Sequence, residues 1–203
     1  MQDDLLIRRA QRGDNDAFEQ LLLEHQKNVY NLCYRMAGNA DDALDLSQET
    51  FLRAWRCLDQ YQFASSFSTW LYRLCSNLCI DFLRRRKRQQ AMPLTFEDAD
   101  GEEQTLSVPD PAPSPEEQTE LKLTREALAA AMAQLLPEHR AVLQLRVCEE
   151  LPYEQIAEIL DIQIGTVKSR LSRARTQLKK VLERGNFSLN ASSEFLKSEV
   201  GAK

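Results

Sequence analysis

Glycine is scarce: six residues in a chain of 203. That argues against phosphate-cradling glycine loops and against the turn chemistry of a many-stranded sheet. The two histidines, His25 and His139, read as ordinary helix residues. The five cysteines (33, 57, 75, 79 and 148) are odd in number and lack disulfide-like or zinc-like spacing, which suits a reducing cytosol. Long apolar runs are missing too. No stretch nears the roughly 20 residues a membrane span needs, and no signal peptide is expected, so no membrane insertion is expected. No grouping of nucleophile, base and orienting residue stands out, so a non-enzyme without cofactor or metal is expected.

What is present is charge, unevenly laid out. The net charge is -5. Residues 1–88 carry +1, residues 89–121 carry -9, residues 122–184 carry +3 and residues 185–203 carry 0. Residues 164–184 hold seven Lys/Arg against one acid, and "RRRKR" at 84–88 is five bases in a row. Two basic patches thus flank an acidic segment.

The apolar pattern is helical throughout. Phe18, Leu21, Leu22, Val29, Leu32 and Cys33 recur at helix spacing, and "GNADD" at 38–42 breaks and restarts the chain. Leu44, Phe51, Leu52 and Trp55 form the next apolar series. Leu71, Leu74, Cys75, Leu78 and Phe82 line a long helix over 68–88. Cys75 and Cys79, at i and i+4, read as small core residues, since no further Cys or His has suitable spacing. Proline and acid then dominate the segment to 119, which reads as an extended linker. Helical pattern returns at Leu121, and Pro137 can open a new helix. The expected fold is all-α: two small helical domains, 1–90 and 120–184, joined by a flexible acidic linker over 91–119, with a tail at 185–203.

"YEQIAEILDIQIGTVKSRLSRAR", residues 153–175, joins two short helices across a tight turn. Ile156, Ala157 and Leu160 form the expected inner face of the first. Asp161 sits in the turn and tolerates a left-handed backbone. Val167, Leu171, Ala174, Leu178 and Leu182 form the inner stripe of the second. Lys168, Ser169, Ser172 and Arg173 then share the outer face, where a helix-turn-helix presents base-reading side chains. Arg170, Arg175 and Lys179 flank that face and suit phosphates. A helical hairpin with a merely solvated basic exterior has a similar pattern. The short turn and the serines alternating with bases favour the DNA reader.

The chain resembles the extracytoplasmic-function (ECF) sigma factors. "LPEHRAVLQLRVCEELPYEQIAEILDIQIGTVKSRLSRAR" is similar to their C-terminal promoter-recognition domain. "GDNDAFEQLLLEHQKNVYNL", "DDALDLSQETFLRAW" and "FSTWLYRLCSNLCIDFLRRRKR" are similar to their N-terminal domain. The resemblance implies an alternative sigma factor: a cytoplasmic subunit that binds core RNA polymerase, recognises two promoter elements and promotes DNA melting for initiation. The expected partners are the clamp helices of the polymerase's largest catalytic subunit, promoter DNA and, as is common in the family, an anti-sigma factor.

By that resemblance, Asp42, Asp45, Gln48 and Glu49 dock on the polymerase; on pattern alone they are an acidic helix start favoured by the dipole. Trp70, Arg73, Asn77, Asp81 and Arg84 share a face opposite the core stripe, suited to a melted strand. The loop Gln62, Phe63, Ala64, Ser65 and Ser66 corresponds to the loop that captures a flipped base. Arg84, Arg85, Arg86, Lys87 and Arg88 suit phosphates, or form a basic helix end. Trp70 serves equally as a core aromatic. Two other readings of the whole chain are a conventional operator-binding dimer and an adaptor that binds only proteins.

Overall fold

The computed structural model describes residues 2–91 and 127–184. Of the expected acidic linker, all but Ala91 lies outside the described residues, as does the tail 185–203. Among the described residues every regular element is a helix.

The N-terminal unit holds α1 (Gln2–Ala10), α2 (Asn15–Ala37), α3 (Ala40–Cys57), a 3-10 turn (Leu58–Gln60) and α4 (Phe67–Ala91). Local chemistry sets the boundaries. The Asp14 carboxylate accepts from the Ala17 N–H at 3.0 Å, capping α2. Gly38 closes α2 in the left-handed region (φ 90°), where a side chain is strained. Asn39 caps α3 by accepting from the Asp42 N–H at 2.8 Å. The break expected at 38–42 is therefore one C-cap followed at once by one N-cap. Leu21, Val29 and Leu32 of α2 pack with Ala43, Phe51 and Ala54 of α3 and with Leu71 and Leu78 of α4 in the core.

The C-terminal unit holds α5 (127–133), α6 (Pro137–Val147), α7 (Tyr153–Leu160) and α8 (Ile164–Arg184). Pro137 opens α6, where its missing N–H costs nothing. Asp161 closes α7 at φ 52°, ψ 51°, so the turn does use the left-handed conformation. The predicted inner stripe of α8 is buried at all five positions. The inner face of α7 differs: Ile156 and Ile159 are buried, while Ala157 and Leu160 are half-buried.

The two units pack together instead of standing apart. Buried residues of both form one continuous cluster, with α4 laid against α6 and α7, and α2 touching α6. Arg140, 5 % exposed, donates through Nε to the Arg35 carbonyl at 3.2 Å, satisfying an acceptor near the end of α2. Glu149 receives both the Arg35 guanidinium and the Tyr72 hydroxyl, the latter at 2.7 Å. Arg84 donates to Glu138 at 2.9 Å.

Candidate nucleic-acid and polymerase interface

The outward face of α8 is exposed at Lys168, Ser169, Ser172, Arg173 and Lys179, with Arg170 and Arg175 half-buried at its flanks. The helix-turn-helix geometry thus brings together the seven residues expected there. The buried stripe fixes this outcome, because it leaves the opposite side of a 3.6-residue period free. Ser169 Oγ donates back to the Thr166 carbonyl at 3.0 Å, and Lys168 Nζ sits 5.9 Å from the Tyr153 ring. The field of this face reaches the start of α6. Burial, aided by Arg170 and Arg173, holds His139 below the ordinary imidazole range. Burial works to raise the Glu138 carboxyl. Its own N–H, Arg84 and Arg170 outweigh that and leave it lowered.

On α4, Arg73, Asn77, Asp81, Arg84, Arg85 and Arg86 are exposed along the expected face. Several are occupied. Arg73 lies 3.6 Å from Asp161, in the turn of the helix-turn-helix. Arg84 pairs with Glu138, and Arg86 with Asp42 at 2.9 Å. Trp70 is half-buried against Tyr61 and Phe67, with ring centroids 5.3 and 5.6 Å away.

The loop before α4 divides in a way the sequence did not indicate. Phe63 takes a left-handed backbone (φ 58°) and is covered by the Arg8 guanidinium at 4.5 Å. Ser66 caps α4, its Oγ accepting from the Thr69 N–H at 3.1 Å. Ser65 is half-buried, and its carbonyl accepts from the Tyr61 hydroxyl at 2.6 Å. Gln62, Ala64 and Ser66 are the loop residues that face solvent.

On α3, Asp45, Gln48 and Glu49 are exposed; Asp42 is half-buried and tied to Asn39 and Arg86. The apolar series Leu44, Phe51, Leu52 and Trp55 is split. Phe51 is 8 % exposed, but Leu44, Leu52 and Trp55 are 50, 51 and 37 % exposed. Positions 44, 48, 52 and 55 form a second stripe on the same helix. They border a groove of about 910 Å³ between α2 and α3, whose far wall carries Phe18 and Leu22. Phe18 and Trp55 touch, with ring centroids 4.8 Å apart. The sequence held the signal: an amphipathic helix with apolar residues on two faces has two surfaces to cover. Cys75 and Cys79 are buried core residues, as expected. Cys33 of α2 lies beside both, a proximity that linear spacing does not reveal.

Two family models match the chain, Sigma-70 region 2 over residues 21–89 and Sigma-70 region 4 over residues 125–178. The ECF RNA polymerase sigma factor SigW of Bacillus subtilis (strain 168) is 34% identical over 177 residues, covering 87% of this chain and 94% of that protein. The RNA polymerase sigma-H factor of Pseudomonas aeruginosa is 39% identical over 184 residues, covering 90% of this chain and 94% of that protein.

The chain belongs to the ECF family of RNA polymerase sigma factors.

This sigma factor is an alternative sigma factor for transcription initiation, a DNA-binding initiation factor that acts with RNA polymerase and is not an enzyme. Among the described residues no helix is long and apolar enough to cross a membrane. Its architecture matches solved sigma-factor structures. Sigma factor RpoE bound to the anti-sigma factor NepR from Bartonella quintana superposes with a TM-score of 0.58 at 28% identity, covering 82% of this chain and 96% of that one. CnrH bound to the cytosolic domain of CnrY gives a TM-score of 0.63 at 23% identity, covering 91% and 99%, and supports the fold alone.

Proposed function

We propose a division of labour among three surfaces of this cytoplasmic sigma factor. The outer face of α8 reads the upstream (minus-thirty-five) element, with Lys168, Ser169, Ser172 and Arg173 toward base edges and Arg170, Arg175 and Lys179 toward phosphates. The outer face of α4 and the exposed loop residues Gln62, Ala64 and Ser66 engage the downstream (minus-ten) element as it melts. Asp45, Gln48 and Glu49, with the apolar groove beside them, dock on the clamp helices of the polymerase. The observation that carries this reading is the double face of α3: one stripe is buried, and the other is apolar, exposed and edged by acids. Acidic residues orient a basic partner, and the groove supplies the area that holds it.

The domain division proposed is 1–90 and 120–184, with an acidic tether of 91–119. Those 29 residues span at most about 100 Å when extended. That exceeds the roughly 70 Å separating elements two helical turns apart. In the packed arrangement Arg73 and Arg84 of the α4 face are paired with Asp161 and Glu138 of the C-terminal unit, so this function requires the interface to open on the polymerase. The solved relative RpoE is in complex with the anti-sigma factor NepR. A protein of the NepR kind is accordingly proposed as a partner here too.

In vitro transcription with core polymerase on a promoter library tests the reading. Specific initiation that requires both elements is expected. Promoter binding without core enzyme, as a dimer, would instead establish a conventional regulator.

A further inference from the structure

Inside the N-terminal unit three cysteines meet. Cys33 comes from α2, and Cys75 and Cys79 come from successive turns of α4; all three are 0 % exposed. The Cys33 sulfur lies 3.3 Å from that of Cys75 and 4.0 Å from that of Cys79, and all three sulfurs are within 4.8 Å of one another. No histidine or carboxylate joins them among the described residues.

These spacings discriminate between two uses of thiols. A disulfide brings its sulfurs to about 2.05 Å, so Cys33 and Cys75 would have to close by more than an ångström inside a packed bundle. A metal ion bound at about 2.3 Å holds its sulfur ligands about 3.8 Å apart in a tetrahedral site and about 4.0 Å apart in a trigonal one. The two Cys33 separations, 3.3 and 4.0 Å, reach that spacing with changes of about half an ångström or less. The i, i+4 pair on α4 gives one rigid edge of the site, and α2 closes it.

We propose that Cys33, Cys75 and Cys79 form a three-sulfur site for one soft d10 metal ion, copper(I) or zinc(II). An all-thiolate donor set selects such ions over harder ones. Three thiolates with zinc(II) leave one negative charge, and with copper(I) two. The buried cation that feels Cys79 is Arg140, which enters from α6 of the other unit and is 5 % exposed. A filled site therefore joins α2 to α4 and places its residual charge against the residue that anchors α6 to α2. Since the sulfurs are closed off from water, the ion enters as the unit folds.

The test uses the full-length chain carrying Cys57→Ala and Cys148→Ala, so that the trio is the only thiol source. The reduced protein is refolded with zinc(II) or with copper(I), each in competition with a chromophoric chelator. One ion retained per chain is expected, and the ion that resists the chelator better identifies the resident metal. Cys33→Ala, Cys75→Ala or Cys79→Ala should lower the affinity at least a hundredfold while the helical circular-dichroism signal is kept. X-ray absorption on the metal-loaded parent should show a sulfur shell near 2.3 Å. That measurement decides the matter even where an alanine variant fails to fold. No retained ion, unchanged affinity in folded alanine variants, a nitrogen/oxygen shell, or a chain that takes no metal yet forms a Cys33–Cys75 disulfide under peroxide would each overturn the site.

Discussion

Arg35 and Glu149, 114 residues apart in sequence, form an ion pair across the boundary between the two helical units. Glu149 also accepts from the Tyr72 hydroxyl at 2.7 Å. One carboxylate thus holds two donors from the N-terminal unit. Glu149→Ala leaves the Arg35 guanidinium and the Tyr72 hydroxyl without their acceptor. We expect the closed arrangement to weaken by about 1–3 kcal/mol, the scale of a charge-assisted bond lost from a part-buried site. Energy transfer between a dye on α2 and a dye on α8 reports it; an unchanged signal would show that apolar packing alone holds the units.

The same contact has a pH signature. Burial, and then the bond to Glu149, raise the Tyr72 phenol above its ordinary value of 10.0. A raised acid contributes its stabilisation in full below the unbound value and loses it as pH climbs. The interface should accordingly be at full strength below about pH 10 and loosen above it, with Tyr72→Phe removing this component of the alkaline response. Equal alkaline loosening in wild type and Tyr72→Phe would assign the effect to other groups.

Helix positions and the recognition face were legible in the sequence because they depend on local period and capping. The α8 stripe at 167, 171, 174, 178 and 182 is buried throughout, and its complement is the proposed DNA face. Ion pairs across the boundary were not legible. Nothing in the pattern around Glu149 distinguishes it from neighbouring Glu150, yet one is enclosed between two helices of the other unit. Likewise, Leu44 and Leu52 look like core until the bundle shows that α3 has already spent its inner face on Ala43, Leu46 and Ala54. Tertiary proximity also created the cysteine trio, since Cys33 and Cys75 are 42 residues apart.

The exposed stripe on α3 leads to a prediction about the polymerase. Trp55→Ala or Leu52→Asp should weaken core-enzyme binding by about 2 kcal/mol, roughly thirtyfold, as truncating an interface anchor does. Stability should hold for Leu52→Asp, whose side chain is 51 % exposed, whereas Trp55→Ala also gives up its contact with Phe18. Charge reversal at Asp45 and Glu49 to Lys should act mainly on the association rate and its salt dependence. Surface plasmon resonance against immobilised core enzyme separates the two effects; normal binding by Trp55→Ala would remove the groove from the interface.

Asp161 makes a sharper point about the helix-turn-helix. Its backbone is left-handed (φ 52°, ψ 51°), and its side chain is 85 % exposed. A β-branched residue there, as in Asp161→Val, should cost about 1–2 kcal/mol in thermal stability. Asp161→Gly should be neutral or slightly stabilising, because glycine adopts this conformation freely and the exposed pair with Arg73 contributes little. Calorimetry that finds Val and Gly equivalent would place the strain elsewhere.

Base reading and phosphate binding on α8 separate by their sequence dependence. Arg173→Ala should cost about 1–3 kcal/mol at one upstream base pair and relax preference there. Arg175→Ala or Lys179→Ala should weaken all sites alike and reduce the salt slope. Binding of holoenzyme to a set of single-base promoter variants distinguishes these outcomes, and a uniform loss from Arg173→Ala would make it a phosphate contact.

The closed arrangement and the charge layout together predict how DNA binding is controlled. Arg73 and Arg84, on the face of α4 proposed to meet the melted strand, are paired with Asp161 and Glu138 of the C-terminal unit. Residues 89–121 add nine acids and no base to the same chain. Internal carboxylates therefore compete with DNA phosphates for the cations of both units. The free sigma factor should bind promoter DNA weakly, with a shallow preference for sequence. Glu138→Gln with Glu149→Ala should raise that binding several-fold at low salt by releasing Arg84 and loosening the interface. Core polymerase should raise it far more, since it holds two weakly binding units at the spacing of the two elements and turns the second contact into an intramolecular one. A gel-shift series at one fixed salt concentration compares wild type, the double variant, and wild type with core enzyme. Tight, sequence-specific binding by wild type alone would show that the closed arrangement leaves the DNA faces free. The requirement for polymerase would then have to come from melting instead of recognition.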